Sequence, residues 1–261
     1  MFSPSCIGDI EVSYSTAGDT NTLAAARTSA GHRIAISLDL APPPAESNVR
    51  VYFPDGGVSE TVIATVIAAH GGSVLVEVSL IDVHAYRSQT DDYFVYDAGD
   101  AAADPPRPPS LSLLPPCYYG TEEPKPERRV LDGTCTGLVH RGGENGDELV
   151  VAELKAVVGS RETPATAEIV LLRSGEWRAV RPAFSGAELT RWGGAHGDGM
   201  LCFFNLHVFD ERSPPKLRYV PLPAGGVATS PPNGGTGTSR NVCATAGGRK
   251  VKFINIFPRC C

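Results

Sequence analysis

The sequence lacks a cationic amino terminus leading into an apolar core, and it has no apolar run long enough to cross a bilayer. Neither a signal peptide nor a membrane helix is therefore expected. It contains no Asn-x-Ser/Thr acceptor and no cysteines spaced Cys-x-x-Cys. The phosphate loops Gly-x-x-x-x-Gly-Lys-Ser/Thr and Gly-x-Gly-x-x-Gly are missing, and so is the Gly-x-Ser-x-Gly elbow of hydrolases. Basic residues are also short, 23 against 29 acidic, which leaves a formal charge of −6 that repels a phosphate backbone. These absences point to an intracellular protein of the cytoplasm or nucleus, with no cofactor and with neither nucleic acid nor membrane among its partners.

Turn-forming residues are abundant, with 28 Gly and 22 Pro in 261 residues, while 42% of the chain is hydrophobic. That combination is too apolar for wholesale disorder and too rich in helix breakers for long helices. Short strands joined by loops use both residues, so the expected class is all-β. The seven cysteines are odd in number and irregularly spaced, which implies free thiols. Cys202, inside the apolar run Met200 to Phe204, reads as a small buried hydrophobe.

Residues 1–31 are rich in Ser, Thr, Ala and Gly without a sustained period, and read as an irregular segment with at most one helical turn at Leu23 to Arg27. From 32 to 261 a single β domain is expected. Arg33 to Leu40 and Asn48 to Phe53 alternate as a strand pair around Pro42-Pro43-Pro44. Thr61 to Ala69 and Val74 to Leu80 form a hairpin over Gly71-Gly72, with Val74, Val76 and Val78 on the buried face. Tyr93 to Asp97 and Ser110 to Leu114 complete a four-stranded antiparallel sheet over 61–114. A second set spans 134–181 in four runs, with Ile169 and Leu171 as core. The third is shorter: Met200 to Phe209 reads as one run followed by Leu217 to Val220, with no strand between Thr190 and Gly199. After a low-complexity loop over 223–240, Asn241 to Ala246 and Lys250 to Phe257 make a last hairpin whose core would include Val251 and Phe253.

One unit recurs. Phe94-Val95-Tyr96-Asp97 leads to Leu111-Ser112-Leu113-Leu114-Pro115. Ile169-Val170-Leu171-Leu172 leads to Trp177-Arg178-Ala179-Val180-Arg181-Pro182, and Val208-Phe209-Asp210 leads to Tyr219-Val220-Pro221-Leu222-Pro223. A strand, a loop and a second strand closing on proline, repeated along the chain, resembles the outer hairpin of a β-propeller blade. The expected architecture is an incomplete propeller-like array of antiparallel four-stranded sheets. An unfinished ring leaves an open sheet edge at Lys250 to Phe257, and self-association through that edge is expected.

Particular strings carry a family resemblance. Thr28-Ser29-Ala30-Gly31-His32-Arg33-Ile34 with Pro42-Pro43-Pro44, then Asp92-Tyr93-Phe94-Val95-Tyr96 with Pro108-Pro109-Ser110-Leu111, resemble the grass-expanded plant family called domain of unknown function 1618. Leu217 to Pro223 and Cys243 to Phe253 look like its later motifs. The resemblance implies a propeller-like β protein with no catalytic residues to carry over, comparable with the repeat domains that accompany F-box motifs. It also implies sequence beyond Cys261, so a truncated product is expected. The chain departs from the family before Met200, where members carry a Trp-containing strand and only the remnant Arg191-Trp192-Gly193-Gly194 stands here.

Candidate chemistry is sparse. His196, Asp198, Cys202 and His207 are the densest group of metal-ligand types, but along a strand His207 and Cys202 face opposite sides, and no metal site is expected. The basic stretch Lys125 to Arg129, broken by Pro126 and Glu127, reads as a solvated loop. The leading expectation is a non-enzymatic module that binds a protein partner through loops, with Tyr118, Tyr119 and Trp192 as candidate partner-binding residues. Two alternatives stay open: a hydrolase-like enzyme with its site at a propeller mouth, and the substrate-recognition part of an F-box-type ubiquitin ligase lacking its F-box.

Overall fold

The computed structural model describes residues 7–13, 19–42, 47–55, 61–82, 89–118, 128–133, 135–143, 146–157, 166–181, 183–184, 194–197, 200–203, 207–210, 216–219, 239–244 and 251–256. Among these are nineteen strands in five sheets, and no helix. No helix of the described residues is therefore long and apolar enough to cross a membrane. The chain divides into two compact units, Met1–Gly133 and Thr134–Cys261, so a boundary falls inside the stretch expected as one domain.

The first unit opens with β1 (Ile7–Ser13), β2 (Ala24–Arg27), β3 (Arg33–Asp39) and β4 (Ser47–Tyr52), in the spatial order β1-β4-β3-β2. Two strands thus occupy the amino-terminal segment expected to be irregular. Ala24-Ala25-Ala26-Arg27 has no β-branched residue and poor strand propensity. Antiparallel pairing with β3 and burial of Ala24 outweigh that propensity. This sheet is also mixed rather than purely antiparallel, because β1 runs parallel to β4. Parallel neighbours need a long connection, and the β2–β3 hairpin supplies it. Arg50 of β4 lies 2.9 Å from Glu11 of β1 and 3.0 Å from Asp39 of β3, tying three neighbouring strands together.

β5 (Thr61–His70), β6 (Ser73–Ile81), β7 (Gln89–Asp97) and β8 (Ser110–Leu113) form the expected antiparallel meander. Val74, Val76 and Val78 are buried together with Phe94 and Tyr96, in one core shared with Ile34, Ile36, Val49, Val51 and Phe53 of the first sheet. β1 runs beside β5 and β2 beside β8, so the two sheets stack face to face. Their central strands are covered on both faces: Ile34 to Leu38 of β3 and Asp91 to Tyr96 of β7 are buried without a break.

The second unit begins with β9 (Thr136–Gly143), β10 (Gly146–Val157), β11 (Thr166–Arg173) and β12 (Glu176–Val180), again the expected four-stranded antiparallel sheet. Ser174 and Gly175, with φ of 51° and 82°, make the two-residue turn into β12, a geometry suited to strand twist. Val150, Ala152, Ile169 and Leu171 line one buried face. Leu138, Val151, Val170 and Leu172 are buried on the other.

The third set corrects the sequence reading. β13 (Ala183–Phe184), β14 (Gly194–Gly197), β15 (Met200–Phe203), β16 (His207–Asp210) and β17 (Lys216–Tyr219) form one sheet in the order β13-β17-β16-β15-β14. What reads as one apolar run is two strands, and β14 lies in the stretch read as strandless. Gly194-Ala195-His196-Gly197 carries no strand signal of its own, and the ladder to β15 makes it a strand. β18 (Ser239–Ala244) and β19 (Val251–Ile256) pair antiparallel as expected. The side chains of Val251 and Phe253 lie outside the described residues.

A regularity joins all five sheets. In each, the strand latest in sequence is followed two residues beyond its end by proline: Pro54 after β4, Pro115 after β8, Pro182 after β12, Pro221 after β17 and Pro258 after β19. Proline has no N–H for the ladder and restrains the residue before it, so each acts as a terminator. The three hairpins that recur in sequence are β7–β8, β11–β12 and β16–β17, each the closing pair of an antiparallel meander.

Candidate functional site

The site begins with a buried carboxylate. Along β7, Phe94 and Tyr96 enter the shared core, and alternation puts Asp92 on the same face, where its side chain is 0% exposed. The Ser29 N–H donates to Asp92 Oδ2 at 2.7 Å, and Arg128 Nη2 lies 3.1 Å from Oδ1. Ser29 sits in the turn between β2 and β3, which closes through the Thr28 N–H to His32 O bond at 2.9 Å. Asp92 therefore pins that hairpin, in the first sheet, to the second. The two early strings on which the family resemblance rests, Thr28 to Ile34 and Asp92 to Tyr96, meet at this bond.

Arg128 belongs to the stretch expected as a solvated loop, and the geometry corrects that expectation. Its backbone forms an antiparallel bridge with Tyr118, and the Arg129 N–H donates to Cys117 O at 2.8 Å. The side chains of this short ladder alternate. Cys117, Arg129 and Leu131 are buried, and Pro116, Tyr118 and Val130 point outward. Arg129 is only 7% exposed, despite its charge. On the inner side the Leu131 N–H donates to Tyr93 Oη at 2.8 Å, which seats the ladder on the second sheet.

The outward side carries two large apolar side chains, Tyr118 at 47% exposure and Val130 at 50%. Of the residues expected to bind a partner, Tyr118 is thus exposed on a segment bridged to Arg128, whereas Tyr119 and Trp192 lie outside the described residues. Val130 and the arginine pair were missed by sequence reasoning. The alternation in Arg128-Arg129-Val130-Leu131 was a strand signal, obscured by the charge and proline just before it.

A second polar group occupies the other face of the same sheet. Tyr93 donates its hydroxyl proton to Glu77 Oε1 at 2.9 Å, and Asp91 Oδ1 accepts from Ser79 Oγ at 2.6 Å and Gln89 Nε2 at 2.7 Å. Burial pushes the Glu77 carboxyl above its ordinary value. The Tyr93 hydrogen bond opposes this, and the Asp91 charge adds to it. Burial, then the Glu77 charge, push the Tyr93 phenol upward. The phenol both donates to Glu77 and accepts from Leu131, so its hydrogen bonds serve to hold the ladder on the sheet.

The side chains of His196, Cys202 and His207, and Asp198 as a whole, lie outside the described residues. Among the described residues no group of three or more His, Cys, Asp or Glu is arranged to hold a metal ion. Comparison with family models, with curated proteins and with solved structures finds no match to the chain.

Proposed function

We propose that this chain is a propeller-type β scaffold, of the kind represented by the family it resembles, that works inside the cell as a non-enzymatic protein-interaction module. Its partner would be a protein seated over Tyr118, Val130 and Pro116. The observation that carries this reading is the half-exposed Tyr118 held on a ladder whose inner side is buried, because a rigid aromatic loses little entropy on binding and is a favoured anchor.

The propeller architecture is supported by two features. Central strands buried on both faces suit sheets stacked as blades, where a two-sheet sandwich would cover only one face. In the second unit β14 lies beside both β9 and β18, so the first strands of successive antiparallel runs gather together, as inner strands around an axis do. The hydrolase alternative would assign the Glu77–Tyr93 pair a proton-transfer role, but both partners are engaged in anchoring the ladder.

Cross-linking in cells that express the full chain, compared with a Tyr118→Ser/Val130→Ser variant, tests the reading. A defined set of proteins joined to the wild type and lost from the variant is expected, with the unfolding midpoint unchanged because both residues are exposed. The same set recovered with both chains would refute it.

A further inference from the structure

We propose that the loop between β7 and β8 is itself a ligand, presenting a polyproline segment to a domain with an aromatic-lined groove and carboxylates at its rim. This deepens the interaction reading above and rests on it.

The loop contains Asp104-Pro105-Pro106-Arg107-Pro108-Pro109, four prolines in five residues from 105. Each proline fixes its own φ, and Pro105, Arg107 and Pro108, each preceding a proline, are confined to extended or polyproline II backbone. The conformation is therefore largely set before any partner arrives. With three residues per turn of polyproline II, Pro105 and Pro108 share one edge, Pro106 and Pro109 share the next, and Arg107 stands on the third. That spacing is what aromatic-lined grooves read, with the charged edge selecting acidic residues beside the groove.

The structure adds presentation. Pro105, Pro106, Arg107 and Pro108 are exposed. The loop is nevertheless anchored: the Asp100 N–H donates to Arg107 O and the Arg107 N–H to Asp100 O, both at 2.9 Å. The Gly99 N–H donates to Asp97 Oδ1 at 2.7 Å, and the Ala102 N–H to Asp100 Oδ1 at 2.9 Å. Gly99 has φ of +69°, and a Cβ there would collide with Arg107 O and lie 2.6 Å from Pro108 O, so only glycine permits this approach. The prolines bring no N–H of their own and leave the Arg107 side chain as the single cation between residues 98 and 109. An exposed proline segment held by the Asp100–Arg107 bridge lowers the ordering cost of binding.

The full chain is titrated against an array of purified SH3 and WW domains, with polarisation of a labelled domain as the readout. At least one domain is expected to bind. Arg107→Glu, and separately Pro105→Ala/Pro108→Ala, should each weaken that complex by at least about tenfold while leaving the thermal midpoint in place. Tyr118→Ser should leave it intact. No binding across the array, or binding undiminished in both loop variants, overturns the proposal. A domain whose binding is lost with Tyr118→Ser and untouched by the loop variants also overturns it, while the reading of the Tyr118 surface survives.

Discussion

Arg128→Ala strips the guanidinium from a carboxylate that has no access to water. Asp92 keeps the Ser29 N–H at 2.7 Å but loses its only countercharge among the described ion pairs, at 3.1 Å. Removing one partner of a buried pair costs about 3 to 5 kcal/mol. The Arg128 side chain is 29% exposed, so water already screens part of the interaction, and the expected cost falls to about 2 to 4 kcal/mol. Asp92→Asn keeps an oxygen for Ser29 and sets an amide against the arginine, at about 1 to 3 kcal/mol. The double variant should cost less than the sum of the two, because the charge left buried by the first change is removed by the second. Urea unfolding followed by far-ultraviolet circular dichroism reads this directly. With a slope of about 2 kcal/mol/M, Arg128→Ala lowers the midpoint by about 1 to 2 M. A change under roughly 0.5 kcal/mol would place the pair with ordinary surface ion pairs and refute the clamp, and so would strict additivity in the double variant.

Leu171 is buried in the core of the β9–β12 sheet, so Leu171→Ala should cost about 2 to 5 kcal/mol in the same assay, and an unchanged midpoint would show the wrong face was assigned. Glu77 has a folded value raised above the ordinary 4.5, so the native state holds its proton more tightly and stability falls as pH rises from there through the raised value. Glu77→Gln, which can still accept from Tyr93, should therefore be more stable than wild type at neutral pH, with the gap closing below about pH 4; a gap that widens on acidification reverses the sign and defeats the argument. Among the described residues β19 pairs only with β18, so sedimentation at increasing concentration should show self-association of the full chain, and a monodisperse monomer throughout would remove the open-edge proposal.

The two meanders over 61–113 and 136–180 were legible because their patterns are local. Val74, Val76 and Val78 alternate with Leu75, Glu77 and Ser79, and Ser174-Gly175 marks its own turn. The missed strands are those whose pairing is decided elsewhere in the chain. β2 is three alanines and an arginine, β14 is two glycines around Ala195 and His196, and β1 reaches its partner across more than 30 residues in parallel register. The Asp92 clamp was hidden for the same reason. Ser29, Asp92 and Arg128 are separated by 63 and 36 positions, and nothing in the composition around any one of them names the other two. The exposure of Tyr118 was legible because an aromatic beside prolines stands out, whereas the Arg128 to Leu131 alternation has too few residues to outweigh the charged stretch before it.

Both surfaces proposed for partners flank the same strand. The polyproline loop enters β8 at Ser110, and the Tyr118 ladder follows once Pro115 and Pro116 have ended it. Inside the sheets the polar groups are consumed by the fold: Asp92 by Ser29 and Arg128, Asp91 by Ser79 and Gln89, and the Tyr96 hydroxyl, its titration pushed up to about 12 chiefly by burial, by Thr22 O at 2.6 Å. A scaffold that spends its buried polar groups on bonds within a sheet or from one sheet to the next leaves recognition to the segments that proline keeps out of the ladders. β8 has such a segment on either side, and each holds its exposed side chains on an antiparallel bridge, Asp100 with Arg107 and Tyr118 with Arg128. Two anchored presentations around one edge strand suit the interaction module proposed above, since a bridge in each segment lowers the entropy that a partner must overcome.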